Sequence, residues 1–161
     1  MARGSIVDPV TSLIEDTGTV LYSVVNGEQL QQEVTIGWLT DLTGFNVHMN
    51  IVEGLNDGVG GHPKQAKPGG FRMLLTEANG YLLGVSDGDN KFKFVIPFNL
   101  AETADPKPQP AAPIFFFFDL EIGEPGTGDD DPIGDFAPPA KQVWKPVRGL
   151  IEVLYSPTED A

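Results

Sequence analysis

Apolar residues recur at every second position along much of this chain. Val34, Ile36 and Trp38 form one such set. Phe45, Val47, Met49 and Ile51 form the next, with the turn Asp41-Leu42-Thr43-Gly44 between them. A period of two puts each set on one face of a β-strand, so Trp38 is expected inside with Val34 and Ile36. The same alternation, bounded by turn residues, predicts strands over 19–25, 30–38, 45–52, 71–76, 81–85, 91–97, 114–122 and 141–155. Pro146 is expected to interrupt the last of these. Asn26-Gly27 and Asn79-Gly80 carry the two-residue hairpin signal, and Asp87-Gly88-Asp89-Asn90 marks a further turn. No helix of ordinary length is expected anywhere.

Many short strands separated by turn residues imply an all-β sandwich or barrel. The segment Phe115 to Phe118 is apolar on both faces, unlike a strand with one face in water. It belongs either in the middle of a sandwich with a second layer over it, or under a partner. Between the strands lie two long Gly/Pro-rich loops, 53–70 and 123–140, and a Pro/Ala connector over 101–113. The organisation expected is an N-terminal arm over 1–18 and one β-sandwich domain over 19–161. The arm carries Ile6, Val7, Val10, Leu13 and Ile14. It is either a frayed terminus or a segment that docks on a neighbouring subunit. So many apolar side chains are seldom left in water, and these five are the candidate interface residues.

Composition narrows the function. A chain of 161 residues with 40% hydrophobic content is long enough for one domain with a real core. Its 19 Gly and 14 Pro favour turns over helices. The formal net charge of −13 disfavours nucleic acid, which needs a concentrated basic face, and equally an anionic membrane surface. With no cysteine there is neither a disulfide framework nor a thiolate metal site. Asp8 and Pro9 break the apolar run that a secretory signal would need. No apolar stretch approaches the ~18 residues of a membrane span.

Four groups of residues invite a chemical reading. Gly84-Val85-Ser86-Asp87-Gly88 matches the nucleophile-elbow pattern, but a turn into another strand follows it where that elbow needs a helix. His48 and His62 both precede the serine and have no metal-ligand spacing, so they are expected to be solvated or interface histidines. Asp129 to Asp135 loosely echoes a calcium loop, and Asp87, Asp89 and Asn90 do so more weakly. Neither has the full alternation of oxygen ligands, and solvated acidic loops are expected. Trp38, Tyr81 and Trp144 are candidates for an aromatic sugar platform.

Several segments resemble a family of tailed-bacteriophage proteins. They are Asn26-Gly27-Glu28 followed by Val34-Thr35-Ile36, then the run from Asp41-Leu42-Thr43-Gly44-Phe45 to Ile51. Toward the end come Phe118-Asp119-Leu120-Glu121-Ile122 and Arg148-Gly149-Leu150-Ile151-Glu152-Val153. The resemblance is to the immunoglobulin-like β-sandwich at the N-terminus of upper baseplate and fibre-attachment proteins. It implies a single immunoglobulin-like antiparallel sandwich without enzymatic activity, catalytic residues, cofactor or metal. The role implied is a connector in a tail, baseplate or fibre-anchoring assembly. Its partners would be other virion subunits, in a symmetric homo-oligomer, with no nucleic acid, membrane or small-molecule ligand. Its location would be the virion. The alternative is a carbohydrate-binding or capsid-decorating sandwich module.

Overall fold

The computed structural model describes residues 12–14, 18–123 and 143–159, with 12–14, 18–20 and 143–147 described by backbone alone. The described residues form nine strands and no helix. In chain order these are β1 (Ser12–Ile14), β2 (Gly18–Val25), β3 (Leu30–Ile36), β4 (Asn46–Glu53), β5 (Arg72–Leu75), β6 (Leu82–Leu83), β7 (Lys91–Ile96), β8 (Ile114–Gly123) and β9 (Val143–Leu154). They lie in two sheets, ordered β1-β3-β7-β6 and β2-β9-β8-β4-β5. The all-β, two-sheet expectation therefore holds.

Alternation explains how the sheets close on one another. Val34 and Ile36 of β3 and Phe92, Phe94 and Ile96 of β7 point in from the four-stranded sheet. From the five-stranded sheet come Val47, Met49 and Ile51 of β4, Phe116, Phe118 and Leu120 of β8, and Ile151 and Val153 of β9. The ring of Tyr22 in β2 meets Phe94 of the opposite sheet edge-on at 5.5 Å. Such an aromatic pair adds roughly 0.5–1.5 kcal/mol beyond area burial. β8 sits at the centre of its sheet, hydrogen-bonded to β4 on one side and β9 on the other.

Several expectations need correction. The two Asn-Gly turns do not make hairpins, because β2 and β3 lie in different sheets, and so do β5 and β6. Gly27 and Gly80 have positive φ, at 92° and 85°, but neither asparagine does. A tight hairpin turn whose twist matches its strands needs positive φ at both central residues, or at the first. The Val25–Glu28 turn, closed by a 2.8 Å bond from the Glu28 N–H to the Val25 carbonyl, has it only at the second. It splays the chain across to the other sheet. β3 and β4 likewise lie in opposite sheets.

Trp38 is not in the core. β3 ends at Ile36, the Leu39 N–H turns back onto the Ile36 carbonyl, and Trp38 is 36% exposed on that turn. The inward set of β3 is Gln32, Val34 and Ile36. Nor does Pro146 interrupt β9. Leu120 faces Val147 and Ile122 faces Trp144, so Lys145 and Pro146 together oppose Glu121. An irregularity with one extra residue relieves Pro146 of a ladder hydrogen bond it cannot donate.

The boundary of the arm also moves. Ser12–Ile14 pairs in parallel with Val34–Ile36, so the backbone of Leu13 and Ile14 belongs to the strand framework. An unpaired β3 edge would present a row of free N–H and carbonyl groups, and β1 covers part of it. Ile6, Val7 and Val10 lie outside the described residues.

The turn Asp41–Gly44 is held locally. The Thr43 N–H donates to Asp41 Oδ1 at 2.8 Å. That bond, with a second from the Thr43 side chain, holds the Asp41 carboxyl below the usual carboxylate range. Its small contribution is present above the unfolded-state value and is lost as pH falls through the folded one.

Removing the Phe116 ring, fully buried at the centre of β8, is expected to cost about 3–5 kcal/mol of unfolding free energy. Phe98→Ala, at a ring that is 57% exposed, should stay within roughly 0.5 kcal/mol of the parent. Urea unfolding of the two variants side by side checks both.

Candidate functional site

The outer face of the five-stranded sheet carries a groove with a volume of about 670 Å³. Its floor follows from register. Arg72 faces Val52, Val52 faces Phe117, and Phe117 faces Leu150, giving one row across β5, β4, β8 and β9. The next row runs Leu74, Asn50, Asp119, Arg148. Their in-sequence neighbours Ile51, Met73 and Phe118 point into the core, so both rows face outward.

One wall of the groove is the loop between β4 and β5, and four residues position it. Glu53, the last residue of β4, is 2% exposed. Its Oε1 accepts the Phe71 N–H at 3.0 Å, and its Oε2 lies 3.5 Å from Lys67 Nζ. Lys67 Nζ also donates to the Asp105 carbonyl at 2.9 Å, tying the loop to the connector. A buried carboxylate needs such partners, because desolvation otherwise exceeds what the charge contributes. Past the end of β4, the Asn56 side chain takes over the ladder. Its Oδ1 accepts the Phe115 N–H at 2.9 Å and its Nδ2 donates to the Phe115 carbonyl at 3.2 Å.

The outcome for Phe115 is burial to 1% exposure on the outward face of β8. The His62 ring lies against it, centroids 4.7 Å apart, with Pro63 beside it in the groove wall. Of the two alternatives for the doubly apolar segment, a second layer is therefore present over Phe115, built from the chain's own loop. Farther along β8 the groove opens, and Phe117, Val52 and Leu150 remain half-exposed.

Charge in the groove is sorted. Asp119 Oδ1 accepts from Asn50 Nδ2 at 3.2 Å. Glu121 Oε1 lies 3.0 Å from His48 Nε2. Arg72 and Arg148, by contrast, make no hydrogen bond or ion pair among the described residues. They are two of the chain's three arginines.

The candidate residues of the sequence fall in separate places. His62 is exposed, as expected of a solvated histidine, whereas His48 is not. His48 is 7% exposed and paired with Glu121, its Nδ1 without a hydrogen-bond partner among the described residues, while His62 stacks on Phe115. His48 was misjudged because β4 continues beside β8, whose outward Glu121 covers it. Ser86 lies on an exposed turn between β6 and β7, where its N–H and hydroxyl both bond the Glu77 carboxylate. Asp89 accepts the Asn90 N–H at 2.7 Å, and Asn90 Nδ2 donates to the Ile36 carbonyl, so these side chains serve the turn. Among the described residues no group of three histidines or carboxylates gathers to hold a metal ion. The acidic segment Asp129–Asp135 lies outside the described residues. Trp38 sits on the β3 turn and Tyr81 packs against the core, so they form no common platform in the groove. Trp144 is described by backbone alone.

Sequence reasoning missed Arg72 and Arg148. They are 76 positions apart and meet only through the β5-β4-β8-β9 register. The available signal was weak: two of three arginines, each at an outward position of an alternating strand. No family model matches the chain. No curated protein matches it either.

Gly54 is the residue on which the groove wall turns. A Cβ there would stand 2.5 Å from Pro63 Cγ and 2.9 Å from the Phe115 carbonyl oxygen. Gly54→Ala is expected to lift His62 and Pro63 from β8 and to cost about 1–3 kcal/mol, as overpacking does. Loss of the Phe115 ring-current shift on the His62 proton resonances, with a lowered melting temperature, checks it. Unchanged His62 resonances would contradict this account of the wall.

Proposed function

We propose that this chain is a non-enzymatic structural protein of a tailed-phage virion, an immunoglobulin-like sandwich that connects subunits of a tail, baseplate or fibre-anchoring assembly. One observation carries it. Three of the segments on which the phage resemblance rests are neighbours in a single sheet, while Asn26–Glu28 and Val34–Ile36 lie in the turn after β2 and in β3 of the opposite sheet. The run from Asp41 to Ile51 is the turn and body of β4, Phe118–Ile122 lies in β8, and Arg148–Val153 lies in β9. Resemblance scattered by chance along a chain has no reason to converge on three adjacent strands.

Strand order supports the immunoglobulin-like part. β3-β7-β6 corresponds to the B, E and D strands of such a sandwich, and β4-β8-β9 to its C, F and G strands. β1 departs from that pattern, since it runs parallel to β3. A connector needs surface to contact its neighbours, and the outward face of β4, β8 and β9 supplies a groove for it. The arm residues Ile6, Val7 and Val10 are a second docking element in this proposal, and burying several apolar side chains contributes roughly 1.5–3 kcal/mol each.

Peptide mass spectrometry on gradient-purified particles of the source phage is expected to find the chain at a fixed stoichiometry. Deletion of residues 1–11, which spares β1, should leave the melting temperature unchanged and lower incorporation. A chain abundant in the infected-cell lysate yet missing from particles would end the virion reading.

A further inference from the structure

We propose that the outer-face groove binds an extended acidic peptide segment of a partner subunit, with its carboxylates on Arg72 and Arg148 and an apolar side chain between them on Phe117. This deepens the assembly proposal by naming the chemistry of the partner.

The geometry sets the ligand. Arg72 lies on β5 and Arg148 on β9, with β4 and β8 between them. Three strand spacings separate their backbones by about 14 Å. The two arginines are also one outward row apart along the strands. Between them the floor is apolar at Val52, Phe117 and Leu150. The polar groups that share the groove are already engaged, Asp119 with Asn50 and Glu121 with His48. The groove thus offers two guanidiniums and an apolar strip, with the charges of Asp119, across from Arg148, and of Glu121 held at its far end. A planar guanidinium fork matches a carboxylate with two parallel hydrogen bonds.

Charge complementarity selects the occupant. The chain has a net charge of −13, so most of its surface repels an acidic partner. The groove is where two of its three arginines stand without an intramolecular partner among the described residues. An extended peptide advances ~3.3 Å per residue, so carboxylates four positions apart are ~13 Å apart on the same side of the strand. The residue midway between them faces the same way and meets Phe117. A carboxylated sugar chain offers the same charges without an apolar side chain for that strip.

The test uses the full chain and a fluorescent nonapeptide with glutamates at its third and seventh positions and leucine at the fifth. Fluorescence anisotropy should show saturable binding that weakens as salt rises. R72Q/R148Q should lower the affinity at least about tenfold while keeping the parent melting temperature, since both side chains are exposed. Replacing both glutamates by glutamine should have the same effect. R72E/R148E should bind the peptide in which lysines replace the glutamates. No binding of the parent peptide, or equal binding by R72Q/R148Q, overturns the proposal. So does tighter, arginine-dependent binding of a penta-galacturonate, which would assign the groove to a glycan. All these readouts are independent of particle composition. If the chain is absent from virions yet binds the peptide through both arginines, the acidic-segment site stands and the virion proposal falls.

Discussion

A strand segment with apolar side chains on both faces needs cover on both, and the first residues of β8 are such a segment. The inward set of β8, Ile114, Phe116, Phe118, Leu120 and Ile122, requires the four-stranded sheet opposite. Its outward Phe115 requires something more, because an ordinary sandwich leaves that face wet. The chain answers with the loop after β4. Glu53, Lys67, Asn56 and Gly54 are local devices that hold this loop against β8, each satisfying a polar group that burial would otherwise strand. The groove exists because this cover stops short. It shields Phe115 and leaves Phe117 at the foot of a wall made by His62 and Pro63.

Electrostatics then divides the outer face. Carboxylates are present there, but the nearest ones are bonded to neighbours in the same sheet. The cations stand at the two flanks, where strand register and not sequence proximity brings them to one groove. On a chain so acidic, a small cationic site governs which partners approach. Long-range repulsion discourages acidic chains everywhere else on the surface, and salt weakens that repulsion and the local attraction together.

Much of the fold was legible because alternation is a local property. Phe92, Phe94 and Ile96 inside with Lys91 and Lys93 outside is visible in six residues. Which strands pair was not legible. Asn26-Gly27 and Asn79-Gly80 do reverse the chain, but whether a reversal makes a hairpin depends on the φ of the asparagine, which the residue type leaves open. Trp38 kept the period of β3 for one step beyond the strand's end. His48 reads as an outward, polar-face residue, and it is outward. Its burial comes from Glu121, 73 positions later. The groove was illegible for the same reason. It is a property of four aligned strands, and nothing in the neighbourhood of Arg72 or Arg148 announces the other. The doubly apolar run at 115–118 did announce that it needed cover, though not that the chain supplies part of it.

The crossing turns have a kinetic consequence. Because β2, β3 and β4 alternate between the sheets, the pairings β2–β9, β3–β7 and β4–β8 join segments distant in sequence. Among the described residues β2 has one strand partner, β9, a pairing that spans 129 residues at Ser23 and Glu152. Loop-closure entropy must be met before such a contact returns anything, and topologies of this kind fold in milliseconds to seconds rather than microseconds. During synthesis β2, β4 and β5 emerge long before β8 and β9 can join them. The five-stranded sheet therefore has no centre until β8, Ile114–Gly123, has left the ribosome. Until then the future neighbours of β8 have open edges, and the time spent in that state, not final stability, sets the exposure of this chain to mispairing with its own copies.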